Sequence, residues 1–183
     1  MHHNTLGSFK YQSNAIDFNG GCGYIEKDWG RNFPKNWIWI QCNSFSKDKN
    51  VSIMVSIATI PWMWWEFVGF LVGLVIDGQF FLFTTYNQSK IDFIQSVNPS
   101  KVKVSLSNNK YHLIVEAESE SKKALRLYAP DRNKMKPKVD EYLDTSVKFA
   151  LYNNQGKLIH HNQGNSGGLE ITGNIQELIS RVT

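Results

Sequence analysis

Gly23-Tyr24-Ile25-Glu26-Lys27-Asp28-Trp29-Gly30, then Phe33-Pro34, then Trp37-Ile38-Trp39-Ile40-Gln41-Cys42-Asn43 is the stretch from which the rest of the chain is read. It reads as a strand ending in two carboxylates, a turn punctuated by glycine and proline, and a second strand carrying tryptophan and amides. Three of the six tryptophans lie in it. Side chains alternate between the two faces of a strand. Trp37, Trp39, Gln41 and Asn43 therefore share one face, and Ile38, Ile40 and Cys42 the other. A plain half-buried strand would turn water-loving residues out on its second face. This one turns out rings and amides, which suits a mostly apolar pocket with a few fixed polar groups.

Upstream, residues 6–11 and 15–18 alternate in short pieces that read as a hairpin around Ser13-Asn14. Gly20-Gly21-Cys22-Gly23 frees the backbone for a bend or bulge. A glycine run can also cradle phosphate, but no helix N-terminus follows this one, which favours the structural role. Downstream, residues 51–60, 67–76, 79–86, 91–97, 102–106 and 111–117 read as strands bounded by turn residues such as Asn98-Pro99 and Asn108-Asn109. In the last of them Tyr111, Leu113, Val115 and Ala117 face one way and His112, Ile114 and Glu116 the other. Gly69 and Gly73 leave room on one face of their strand, for close packing or for a ligand. Residues 129–144, polar and basic with Pro130 and Pro137, read as a long loop and a candidate lid over a pocket mouth. A last hairpin turns at Asn154-Gln155-Gly156, and residues 167–171 form a final short strand. Asn174 caps a helix running to about Arg181, with Ile175, Leu178, Ile179 and Val182 on one face. Many short strands and one terminal helix predict an all-β antiparallel barrel or sandwich in one domain.

The composition agrees. A chain of 183 residues, 42% hydrophobic and 13% aromatic, can bury a real core. A net charge of +4 permits an anionic partner such as a membrane surface without requiring one. Residues 60–83 are almost continuously apolar. As a spanning helix they would place Glu66 or Asp77 in hydrocarbon, at roughly 2.5–3.5 kcal/mol each. A hairpin with Asp77-Gly78 as its turn accounts for the same residues without that cost. Met1-His2-His3-Asn4 does not start a basic signal peptide. Cys22 and Cys42 show no metal spacing and no disulfide framework, and read as reduced thiols of a cytoplasmic protein. The five histidines lack ligand spacing, so no metal and no cofactor is expected. The lysines between Lys101 and Lys138 lack aromatic interleaving, which argues against nucleic acid.

Residues 24–30, Phe33-Pro34, Trp37-Ile38-Trp39 and Gln41-Cys42-Asn43 together resemble the signature of tocopherol cyclases and their bacterial relatives. The resemblance continues through Ala129-Pro130 and Gly167-Gly168-Leu169-Glu170-Ile171, and so covers nearly the whole chain. It implies a lipocalin-like β-barrel with an apolar cavity, which the strand count alone could not choose. Family members carry this signature in their second half, so the resemblance also implies the C-terminal part of a two-part protein or a truncated relative. A missing N-terminal half would leave Trp62, Trp64 and Trp65 exposed beside Pro61. The half itself, a second copy in a homo-oligomer, or a membrane surface would then cover them.

Such cyclases close a chromanol ring on a prenylated hydroquinone. An alkene is protonated, and the phenol oxygen attacks the tertiary cation. That chemistry asks for a carboxyl group holding its proton in a dry site. Aromatic faces beside the cation contribute roughly 0.5–2 kcal/mol per ring. The resemblance makes Asp28 the first candidate acid and Glu26 the second, with Tyr24, Trp29, Trp37, Trp39, Gln41 and Asn43 holding a prenyl quinol or related lipid. A plainer reading stands beside it. Glu26-Lys27-Asp28 is then a charged strand end, the tryptophans are packing, and the amides satisfy turn backbone. On that reading the chain is a lipocalin-like carrier without catalysis, or the incomplete half.

Overall fold

The computed structural model describes all residues except Lys47, Lys49, Lys122 and Thr183. Four short strands come first: β1 (His3–Thr5), β2 (Ser8–Tyr11), β3 (Asn14–Asp17) and β4 (Gly21–Gly23). The main sheet is built from β5 (Trp37–Cys42), β6 (Val51–Trp62), β7 (Trp65–Ile76), β8 (Gln79–Thr84), β9 (Lys90–Asn98), β10 (Lys101–Ser107), β11 (Tyr111–Ser119), β12 (Leu125–Asp131), β13 (Lys134–Asn153) and β14 (Leu158–Thr172). Helix α1 (Ile175–Ser180) closes the chain. The ten strands follow the order β8-β7-β6-β5-β14-β13-β11-β10-β9, with β12 paired to β13. Two small antiparallel pairs, β1-β4 and β2-β3, stand apart from them.

The turns follow the sequence where the backbone demanded a particular residue. Asp77 and Gly78 both have positive φ (48° and 82°) and join β7 to β8. That is the two-residue turn matching the twist of an antiparallel pair. Residues 60–83 are therefore hairpin strands, and among the described residues no helix is long and apolar enough to cross a membrane. At the other end, Asn174 accepts a hydrogen bond from the Glu177 backbone N–H and starts α1.

Two expectations are corrected. Residues 129–144 are not a loop or a lid. Arg132 and Asn133, both at positive φ, turn the chain tightly, and β12 pairs with the first half of β13. The two prolines are accommodated because this hairpin lies at the margin of the sheet, where few ladder donors are needed. The second correction concerns closure. Among the described residues the sheet curls round its own core without closing into a barrel, since its end strands β8 and β9 do not pair. The edge of β8 is occupied instead by Asn87. Its side-chain carbonyl accepts from the Thr84 N–H at 2.9 Å, and its amide donates to the Leu82 carbonyl at 2.9 Å. Those are backbone groups that a further strand pairing with the end of β8 would have used.

One apolar cluster fills the concave side. Ile38 and Ile40 of β5, Ile53 and Val55 of β6, Leu74 of β7, Phe83 of β8, Leu106 of β10, Leu113 of β11, Leu151 of β13 and Leu169 of β14 are all fully buried in it. Leu178 of α1 joins them, which seats the helix on the sheet. Arg181, just beyond α1, reaches Glu66 of β7 at 2.9 Å. The inward positions are thus occupied by packed side chains, and the alternate positions of the same strands project from the convex side.

Candidate functional site

On that convex side Trp37, Ala58, Ala129 and Val139 form a second, smaller cluster, with Phe33, Trp39 and Ile60 packed against it. Trp37 and Trp39 point here because Ile38 and Ile40 point into the core. Opposite them in the ladder, Trp39 faces Ser56 and Trp37 faces Ala58 on β6. These small partners leave a groove of about 270 Å³ between the strand ends and the segment 26–34. Glu26, Asp28, Trp29, Phe33 and Pro34 form its outer wall, and Trp37, Trp39, Ser56, Ile60 and Glu170 its floor and inner wall.

The segment from Tyr24 to Asp28, expected as a strand, is irregular; only Gly21–Gly23 before it is strand. Side-chain and turn contacts hold it in place of a ladder. The Tyr24 hydroxyl donates to the Glu26 carboxylate, and the Trp39 indole N–H donates to the same carboxylate at 3.0 Å. Further on, the Phe33 N–H reaches the Pro130 carbonyl at 3.0 Å, and the Asn133 N–H reaches the Arg31 carbonyl at 3.2 Å. The β12–β13 hairpin thus props the outer wall. Lys138 reinforces it, donating to the Pro34 carbonyl at 2.8 Å while lying over the Trp37 ring at 5.5 Å.

The chemically distinctive group is one that the sequence reading passed over as a site residue. Glu170 stands opposite Trp39 in the β5–β14 ladder and opposite Glu141 in the β13–β14 ladder. Its carboxyl accepts the Trp37 indole N–H at 2.6 Å. Burial pushes its pKa up to about 7, against the opposing effect of the Trp37 hydrogen bond. The negative charges of Glu141, Glu26 and Asp28 push the same way as burial. Burial also raises Glu141. Tyr24 is raised too, by burial first and then by its bond to Glu26, so it stays a phenol and a donor.

The expected site residues separate into two groups. Tyr24, Glu26, Asp28, Trp29, Trp37 and Trp39 come together around this groove, Tyr24 through its bond to Glu26. Asp28 and Glu26 are exposed at the rim, and Trp29 is 80% exposed with Lys27 over its ring at 5.3 Å. Gln41 and Asn43 lie off it. The Gln41 amide nitrogen is buried without a hydrogen-bond partner among the described residues. Asn43 donates to the Cys22 carbonyl at 3.3 Å and so ties β4 to the end of β5. Cys22 itself sits 3.0 Å from a ring nitrogen of His2, a proximity that separation in sequence concealed.

Glycine makes the floor possible. A Cβ on Gly168 would lie 2.7 Å from a carbon of the Trp39 ring and 3.8 Å from the Glu141 carboxylate. The ring approaches the backbone of β14 this closely only because no side chain is there. Gly168→Ala is expected to displace Trp39, break its bond to Glu26 and cost about 1–3 kcal/mol as an overpacked contact. Near-ultraviolet circular dichroism and thermal denaturation would register both effects; an unchanged tryptophan signal would refute the placement of the ring.

The tocopherol cyclase-like family model matches residues 1–173 of the chain. Among curated proteins, a probable chloroplastic tocopherol cyclase of Oryza sativa subsp. japonica is 38% identical over 42 residues, covering 23% of this chain and 9% of that protein. The chloroplastic tocopherol cyclase of Zea mays is 30% identical over 90 residues, covering 45% of this chain and 18% of that protein. The matched part thus spans less than a fifth of either relative. No solved structure matches the chain.

Proposed function

The chain belongs to the tocopherol cyclase-like family, and from that premise we propose that the convex groove takes the head of a prenylated quinol or a related lipid and that Glu170 is its proton donor. The observation that supports this most is a half-buried carboxyl group in the groove that accepts the Trp37 indole N–H and stands opposite Trp39 in the ladder, with burial raising its pKa to about 7. At neutral pH a large share of it carries a proton, and the walls beside it are aromatic and apolar. A proton passed from Glu170 to a substrate alkene would leave a tertiary cation facing Trp37 and Trp39, and attack by the phenol oxygen would close the ring. The phenol proton then has carboxylates within the same groove to receive it. In this reading Glu26 orients Trp39 and Tyr24, and Asp28 stands at the rim as a charge, in place of the acid role first expected for it. The groove suits a ring-sized head, and a prenyl tail would leave it past Ile60.

Short-chain prenyl hydroquinone supplied in detergent tests the assignment. Glu170→Gln is expected to keep tryptophan quenching by the quinol and lose ring closure by about 10²–10⁴-fold, the usual worth of a general acid. Asp28→Asn is expected to stay within about tenfold of the parent. The reverse ranking would return the acid role to Asp28. Quenching without turnover in the parent chain would establish a carrier, or a half that needs its other part.

A further inference from the structure

Two hairpin tips flank the mouth of the groove, and both are built for a surface other than water. The β6–β7 hairpin ends in Trp62-Met63-Trp64-Trp65, with 55%, 73%, 89% and 57% of each residue exposed. Met63 turns the chain at positive φ, which holds the four side chains out at a narrow tip. Alternation along β6 carries the groove to this tip, since Ser56, Ala58 and Ile60 line it and Trp62 is the next position on the same face. The opposite wall, Asn32–Pro34, is hydrogen-bonded to the tip of the β12–β13 hairpin. That tip is basic.

Charge separates the two sides of this surface. Around the base of the tryptophan tip the cations are paired. Lys35 lies 2.9 Å from Glu66 and 2.8 Å from Glu177, and Arg181 reaches both carboxylates. On the basic hairpin Lys136 pairs with Asp131, and Arg126 with Asp140. Arg31, Arg132 and Lys134, all exposed, have no carboxylate within ion-pair distance among the described residues. Beside them, Tyr128 and Met135 are 63% and 60% exposed.

We propose that these two tips form a docking surface for an anionic lipid bilayer, with the tryptophans seated at the headgroup level and Arg31, Arg132 and Lys134 on the lipid phosphates. Indole rings prefer that interface because one edge is apolar and the N–H is polar. Basic side chains near an anionic leaflet are each held by its surface potential. A narrow, turned-out tip enters a fluid interface more readily than it matches a rigid protein partner. The consequence for the site is positional: the groove mouth lies between the tips and opens on the bilayer, so a lipid can enter without crossing water. The inference concerns docking alone and holds whatever chemistry the groove performs.

The test uses the full chain without any quinol, sedimented with phosphatidylcholine vesicles and with mixed phosphatidylglycerol–phosphatidylcholine vesicles. The parent is expected to bind the mixed vesicles with a blue shift of tryptophan emission. Combined Trp62→Ser, Trp64→Ser and Trp65→Ser should weaken that binding roughly tenfold or more. Combined Arg31→Gln, Arg132→Gln and Lys134→Gln should weaken it on the order of a hundredfold and abolish the preference for the anionic lipid. All six positions are exposed, and unchanged circular dichroism would establish that the variants fold. Equal binding by the parent and both variants, or no binding by the parent, would overturn the proposal. So would light scattering showing self-association that the serine variant removes while vesicle binding stays absent, because the tip would then join copies of the chain.

Discussion

Glu170→Gln is expected to make the protein more stable at pH 8 than the parent, by roughly 2–3 kcal/mol, and no more stable at pH 4. The sign follows from linkage. In the folded chain Glu170 titrates at about 7, above its ordinary value of 4.5. Between those two pH values the folded state holds a proton that the unfolded chain has released, so stability falls as pH rises through the window. Below it both states are protonated and nothing is lost; above it the whole penalty of a buried carboxylate is present. The rise from 4.5 to about 7 corresponds to about 3 kcal/mol at most, reduced somewhat because the groove admits solvent. Glutamine keeps the shape and can still accept the Trp37 N–H, yet has nothing to titrate. For a chain of this size the gain at pH 8 corresponds to a melting temperature higher by roughly 4–12 °C. Thermal denaturation of both proteins from pH 4 to pH 8 would show curves that coincide at the acid end and diverge towards the alkaline one. Parallel curves would mean that the carboxyl is solvated and titrates normally, and the proton-donor role would go with it.

Glu170 also shows where sequence reading runs out. Its neighbours Gly167 and Gly168 mark a strand under close contact, and its outward position on β14 follows from buried Leu169. Its meeting with Trp37 depends on the register between β14 and β5, strands more than a hundred residues apart, and no local pattern encodes that register. Short-range features were legible for the converse reason. The Asp77-Gly78 turn, the alternation of Tyr111–Ser119 and the Asn174 cap are each set by residues within a turn of one another. Residues 129–144 misled because prolines and charges usually mark loops, whereas here a marginal hairpin tolerates both. The open sheet misled in the same way. Strand count predicts closure only if the end strands have free edges, and the Asn87 side chain, in the turn just past β8, takes up the Thr84 N–H and the Leu82 carbonyl at the end of that strand. The tryptophan face was read correctly as a face. What alternation could not say is that it looks away from the core.

The side of the sheet that receives the ligand can be settled by two substitutions with opposite expected effects. Ser56 is half-buried on the convex floor, facing Trp39 in the ladder. Ser56→Trp would lay an indole along the groove between Trp39 and Ile60, filling most of a space of about 270 Å³. Binding of a prenyl hydroquinone is expected to weaken at least a hundredfold (about 2.7 kcal/mol), because the lost contacts are those of the whole head group. Stability should change little, since the new ring projects from the sheet and displaces no packed neighbour in the core. Leu74 is the complementary case. It is fully buried in the concave cluster, and Leu74→Ala removes three heavy atoms from a space that its neighbours cannot fully refill. The expected cost is about 2–5 kcal/mol, with quinol affinity unchanged at temperatures where the variant is folded. If a lipid entered the curled sheet as it would a barrel, the ranking would invert. The alanine cavity would then improve or alter binding, and the tryptophan on the far side would leave it alone. Fluorescence titration and denaturant unfolding of the two variants therefore separate a convex site from an interior one, because each position touches one side of the sheet and not the other.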